Sequence, residues 1–161
     1  MNNKELITKF YTSFAEADAE AMINCYDSII TFTDPAFGTL KGNDAKNMWR
    51  MLIEKSNGNL KIEFANVEAN DKIGSANWTA VYLYGDTQRI IVNKISAKFE
   101  FENGKIIKHT DYFDLWKWTR QALGWKGYLF GYTSFMKKKI QKQASSLLLT
   151  YSSKQRHIIA K

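Results

Sequence analysis

At 161 residues, 45% hydrophobic and 14% aromatic with one proline, the chain is long enough for one domain with a real core and too apolar to be disordered. The lone cysteine, Cys25, excludes an internal disulfide, and no run reaches the ~18 apolar residues of a membrane span. With no apolar signal-peptide core in MNNKELITKF, a cytoplasmic location is the expectation.

The net charge of +7 is unevenly placed, because the stretch from Lys117 to Lys161 is rich in Lys and Arg and contains no Asp or Glu. That stretch reads as a solubilising face, or as a surface for nucleic acid or an anionic membrane. No RNP, zinc-finger or helix-turn-helix signature accompanies it.

Leu6, Ile7, Phe10, Tyr11 and Phe14 recur at helical spacing and predict an amphipathic helix over 3–17. Asp18 can cap a short second helix carrying Met22 and Tyr26. SIITFTDP alternates and is β-branched, which predicts a strand ending at Asp34-Pro35, where the proline keeps Asp34 out of helical geometry. Gly38 and Gly42 predict a loop. Asn43 or Asp44 then starts a helix with Ala45, Met48, Trp49 and Leu52 on one face. After SNGN the period changes to two, with strands at about 60–69, 75–84, 89–102 and 105–114. Turns fall at Asn70–Gly74, Gly85-Asp86 and Asn103-Gly104, the last a strong hairpin signal. Ile95, Ala97, Phe99 and Phe101 make one face of the long strand and Lys94, Ser96, Lys98 and Glu100 the other, so the sheet is antiparallel and half-buried. Helices segregate from strands, which makes the class α+β. A strongly curved sheet with helices across its open face forms a cone with a pocket inside. From about Leu115 the chain is helical in pattern but carries three glycines, which predicts a kinked or broken helix. Its aromatic residues are expected on the sheet, on a second copy of the protein, or at a membrane interface. LLLTYSSKQRHIIAK fits an added strand, a helix extension or a loose tail.

The chain has no G-x-G-x-x-G, P-loop, H-E-x-x-H, C-x-x-C or G-x-S-x-G. Of its two histidines, His157 lies in the tail, so a metal would have only Asp34, His109 and Asp111, and no metal site is expected. The constellation that stands out is in IIKHTDYF, where Ile107, His109, Asp111 and Phe113 share a face. On a concave face, His109 and Asp111 enter an aromatic cavity, and burial there can bring an acid or base into working range near neutrality. Two residues apart on a strand is ~7 Å, enough for a substrate or water between them. Three readings stay open: catalysis, ligand binding without chemistry, or a structural pair that bonds to each other, to a tyrosine or to a helix end. Asp34 has a structural reading too, as the carboxylate that organises an Asp-Pro turn.

TFTDPAFGTLKGNDAKNMW, KFEFENGKI and HTDYFDLW, in that order and spacing, resemble the NTF2-like superfamily over about residues 3–118. This cone-shaped, cystatin-like α+β fold is shared by ketosteroid isomerase, limonene-epoxide hydrolase and SnoaL-like polyketide cyclases. The resemblance implies an NTF2-like domain over 1–118, with N-terminal helices over the concave face, and a basic helical extension of it over 119–161. Asp34 matches the general base of ketosteroid isomerase, but Phe10 and Ala97 stand where that enzyme needs oxyanion donors, and Tyr11 is turned ~100° from Phe10 on the helix. DYFDL at 111–115 matches limonene-epoxide hydrolase and aligns Asp111 with its acid. The partners of that acid are replaced by Trp78 and Ala80, and a water-positioning Tyr and Asn by Phe32 and Asp34. The arrangement is most similar to SnoaL-like cyclases, with Asp111 as base or acid, His109 orienting it or sharing its proton, and Asp34 a second carboxylate at the pocket mouth.

By the same resemblance the pocket is lined by Phe32, Phe37, Trp49, Trp78, Asn93 and Phe113, which suits a small apolar or aromatic molecule with one or two polar groups. No cofactor is implied, and a homodimer through the outer face of the sheet is. The expected activity is cofactor-independent isomerisation, cyclisation or hydrolysis by proton transfer. The alternatives are a non-catalytic ligand-binding or dimerisation module, or a basic-tailed adaptor for an acidic partner.

Overall fold

The computed structural model describes residues 1–86 and 88–159. Helix α1 (Asn3–Ala15) begins with a reciprocal cap: the Asn2 side chain accepts from the Glu5 N–H and the Glu5 carboxylate from the Asn2 N–H. It buries Leu6, Ile7, Phe10, Tyr11 and Phe14. Helix α2 (Ala19–Ile23) is capped by Asp18, which accepts from the Ala21 N–H. Tyr26 is not part of this helix, contrary to its spacing, but opens strand β1 (Tyr26–Asp34). The expected loop between Gly38 and Gly42 is a short strand, β2 (Gly38–Lys41), which pairs antiparallel with the end of β1. Helix α3 (Asn43–Ser56) buries Ala45, Met48, Trp49 and Met51.

Four strands follow: β3 (Leu60–Ala69), β4 (Ile73–Tyr84), β5 (Arg89–Glu102) and β6 (Lys105–Tyr112). Asn103 and Gly104 join the last two with φ of 50° and 72°, the pair of positive values that a two-residue hairpin turn needs. The sheet order is β2-β1-β6-β5-β4-β3. Every pairing is antiparallel except β1 with β6, which is parallel and sets Phe32 beside His109. The registers then place His109 beside Phe99 and Asp111 beside Ala97. Along β5, Ile91, Ile95, Ala97, Phe99 and Phe101 are buried, while Lys94, Ser96, Lys98 and Glu100 are exposed, so one face of the curved sheet carries the core. Helices α1 and α3 bury their apolar faces in that core.

The C-terminal part is a helix broken twice, into α4 (Leu115–Leu123), α5 (Trp125–Phe130) and α6 (Ser134–Ile159). The first break falls at Gly124, whose φ is +60° and where a Cβ would lie 2.7 Å from the Arg89 guanidinium. Residues 147–159 of the ambiguous terminal stretch extend α6, while Ala160 and Lys161 lie outside the described residues. Helix α6 packs along α3: Leu148 reaches the core, and the Asn47 side chain donates to the Ser152 hydroxyl at 3.1 Å. Among the described residues no helix is long and apolar enough to cross a membrane.

Candidate active site

His109 lies in the middle of β6 and is fully buried. Aromatic rings enclose it: Phe99 at 4.3 Å between centroids, Phe32 at 5.2 Å, Phe10 at 5.4 Å, and Trp49 stacked at 6.0 Å. Three of these follow from backbone position, since Phe32 and Phe99 are its register partners on the two flanking strands and Phe10 comes from the helix above. A polar group in such surroundings is costly unless every donor and acceptor is matched.

Here they are matched in one chain. The Trp49 indole can only donate, and its Nε1 lies 2.8 Å from the Tyr26 hydroxyl oxygen. Tyr26 is therefore free to donate to His109 Nδ1 at 2.7 Å. That assigns the ring proton of a neutral imidazole to Nε2, which points at Asp111 Oδ1 at 3.0 Å. The Trp78 indole donates to the same oxygen at 3.2 Å. The contact between His109 and Asp111 is thus a hydrogen bond along a directed chain, and no imidazolium is needed to explain it. The ~7 Å strand spacing does not leave a gap between the two side chains, because they converge within the concave face.

Asp111 is 3% exposed, and that remnant faces a cavity of about 370 Å³. Among the described residues its Oδ2 accepts no protein hydrogen bond. The carboxylate therefore has one oxygen fixed by two ring N–H groups and one open to the cavity. Phe32, Phe37, Trp49, Trp78, Asn93, Phe113 and Asp34 lie on the same wall. His109 does not line the cavity and sits behind Asp111. Asp34 closes β1, and its Oδ1 accepts the Phe37 N–H at 2.5 Å, so it does organise the turn after Pro35. Burial pushes its carboxyl up to about 7; the Phe37 N–H works against this, and the charge of Asp111 adds to it.

Several wall residues escaped the sequence reading. Tyr82 lines the cavity, and its oxygen accepts the Trp118 indole N–H at 2.7 Å. Burial pushes this hydroxyl up to about 12, so it stays protonated and can donate into the cavity. Its signal was available in the alternation, since Tyr82 follows Trp78 and Ala80 on one face of β4. Trp118 of α4 and Ile140, Gln143, Ala144 and Leu147 of α6 also line the cavity, and no local pattern announces that. Tyr11 is not carried out of the interior by its turn from Phe10: its ring packs on Phe64 and Trp78, and its hydroxyl is enclosed without a partner among the described residues. Nor, among the described residues, do three His, Cys, Asp or Glu side chains gather where they could hold a metal ion.

A curved α+β sheet, roofed by N-terminal helices and enclosing an apolar cavity with carboxylates on its wall, defines the NTF2-like class of folds. Residues 7–109 match the SnoaL-like domain family, and the chain belongs to it. Solved structures agree in fold. A candidate polyketide cyclase from Pseudomonas putida KT2440 is 22% identical with a TM-score of 0.61, covering 76% of this chain and 98% of its own. The epoxide hydrolase/cyclase-like enzyme SalBIII, of pyran ring formation in the polyether salinomycin, is 16% identical with a TM-score of 0.61, covering 70% and 90%. An LEH-like epoxide hydrolase from M. tuberculosis is 17% identical with a TM-score of 0.56, covering 79% and 89%. At these identities the likeness is one of fold. Comparison with curated protein sequences finds no match.

Proposed function

We propose that the cavity takes a small, largely apolar or aromatic molecule with one or two polar groups and moves a proton on it without a cofactor, as an isomerase, cyclase or hydrolase of the SnoaL-like kind. Asp111 is the base. Its open Oδ2 meets the substrate, while His109 and Trp78 hold Oδ1 and fix the plane of the carboxylate. His109 acts through Asp111 and is a positioning residue. Asp34, with its pKa near 7, is about half protonated at neutral pH and can return a proton. Two carboxyl groups in unequal environments divide base and acid roles in this way. The observation that carries the proposal is the asymmetry of Asp111, fixed on one oxygen and open to the cavity on the other.

Binding without chemistry is the second reading. It draws on His109, whose two nitrogens are both engaged and which lies off the cavity wall, so that it offers no relay to solvent. A panel of aromatic β-keto esters and small epoxides separates the two. The protein should accelerate exchange of solvent deuterium into a keto ester, or opening of an epoxide, by NMR, and Asp111→Asn should lower the rate by about 100-fold or more. If compounds bind, seen as line broadening, and none reacts faster than in buffer, the second reading stands. A rate that Asp111→Asn leaves unchanged removes Asp111 from the chemistry.

A further inference from the structure

The segment from α5 into α6 exposes large aromatic rings in close succession along the chain, and Trp116 of α4 touches two of them, Tyr128 and Tyr132. Trp125, Tyr128, Phe130, Tyr132 and Phe135 are between 52% and 74% exposed. They come from α5, the turn after it and the first turn of α6, and α5 packs chiefly on α4. Single exposed apolar residues are ordinary, but a cluster of large rings marks a contact surface. The same stretch is basic: Lys126 lies within it, Lys137, Lys138 and Lys139 follow it, and the chain from Lys117 to Lys161 has no acidic residue.

The charge decides between occupants. A second copy seated on this patch would set one basic rim against another, which like charges oppose. Tryptophan and tyrosine combine an apolar ring with a polar tip, and lysine keeps its charge in water above an apolar stem. That composition suits the boundary between lipid headgroups and acyl chains, with the ammonium groups on lipid phosphates. We propose that α5 and the start of α6 dock this protein onto an anionic phospholipid bilayer, lying on it without crossing it. The proposal does not depend on the chemistry of the cavity, although α4 and α6 also supply cavity wall through Trp118 and Ile140, so the docked face adjoins the cavity.

Co-sedimentation of the full chain with vesicles tests this. Vesicles of phosphatidylcholine with added phosphatidylglycerol should retain the protein roughly tenfold or more better than phosphatidylcholine alone, and high salt should reduce the difference. The double variant W125A/F135A should lose about tenfold in retention on both. K137Q/K138Q/K139Q should lose the preference for phosphatidylglycerol. Far-UV circular dichroism and an unchanged Tm show that the variants fold, and Phe135→Ser alone should shift retention in the same direction as the double variant. No retention on either vesicle overturns the proposal, as does retention that neither variant changes. A dimer that W125A/F135A dissociates, without vesicle binding, assigns the patch to a second copy instead. Tight binding of single-stranded RNA with no vesicle retention assigns it to nucleic acid.

Discussion

The inward face of the sheet has a closed end and an open end, and neighbouring positions of one strand serve both. At His109 each ring nitrogen has one partner, five aromatic rings close around it, and no side-chain surface reaches solvent. At Phe113, Asp34 and Tyr82 the wall faces the cavity, and the polar groups there have bonding capacity left over. Asp111 stands on the boundary, with one oxygen in each regime. A polar side chain on a buried strand is therefore no anomaly. It belongs to a hydrogen-bond chain that begins at Trp49 in α3 and ends at Asp111, where the solid core meets the cavity.

The largest effect that breaks this contrast is expected at the closed end. His109→Ala removes a fully buried ring, leaves Tyr26 without its acceptor and takes one donor from Asp111. A loss of about 4 kcal/mol is expected in urea denaturation. A loss below about 1 kcal/mol would mean that the closed end rearranges freely and is not a matched core. Trp78→Phe keeps an aromatic ring but deletes the second donor to Asp111, and should cost about 2 kcal/mol in the same measurement.

The open end should answer to pH instead. The folded pKa of Asp34, about 7, lies above its ordinary 3.8, so the proton is held more tightly in the folded state. Between about pH 4 and 7 the unfolded chain has given up that proton while the folded one keeps it, and stability falls as pH rises. Asp34→Asn cannot ionise and keeps an oxygen for the Phe37 N–H. It should match the parent below pH 4 and exceed it above pH 7. The gap in pKa sets a ceiling of about 4 kcal/mol, and water in the cavity should reduce the gain to about 1–2 kcal/mol. Equal denaturation midpoints for the two proteins at pH 8 would show that Asp34 is not desolvated.

Much of the fold was legible because period-two strands and amphipathic helices announce themselves locally. The long strand β5 and the Asn103-Gly104 turn are examples. β2 was not legible: only three residues separate Gly38 from Gly42, and a single inward side chain, Leu40, is too little alternation to announce a strand. The end of α6 was ambiguous because Leu147, Leu148 and Leu149 are consecutive, and only Leu148 is buried. At the site, the inward direction of His109 and Asp111 followed from alternation, and a bond to each other or to a tyrosine was among the open readings, but alternation did not say which tyrosine or which indoles. Tyr26 and Trp49 sit on other elements: the parallel pairing of β1 with β6 brings in Tyr26, 83 residues back in the chain from His109, and helix α3 brings in Trp49. The direct bond between His109 and Asp111 was one of the readings the sequence left open; strand spacing argued for a gap because it describes a flat backbone, whereas a concave face draws side chains together.

That parallel pairing also bears on when the site can be completed as the chain folds. β6 lies between β1 and β5, so the N-terminal strands join the rest of the sheet only through β6. The Tyr26–His109 bond closes a loop of 83 residues, about half of the chain, a contact whose entropic cost falls before its reward. During synthesis, a nascent chain that ends before residue 109 can seat Trp49 on Tyr26 but has no His109 for Tyr26 and no Asp111 for Trp78 to hold. The cavity and the group that gives it chemistry should therefore appear together and late, and premature termination within β6 should leave an open sheet without a site.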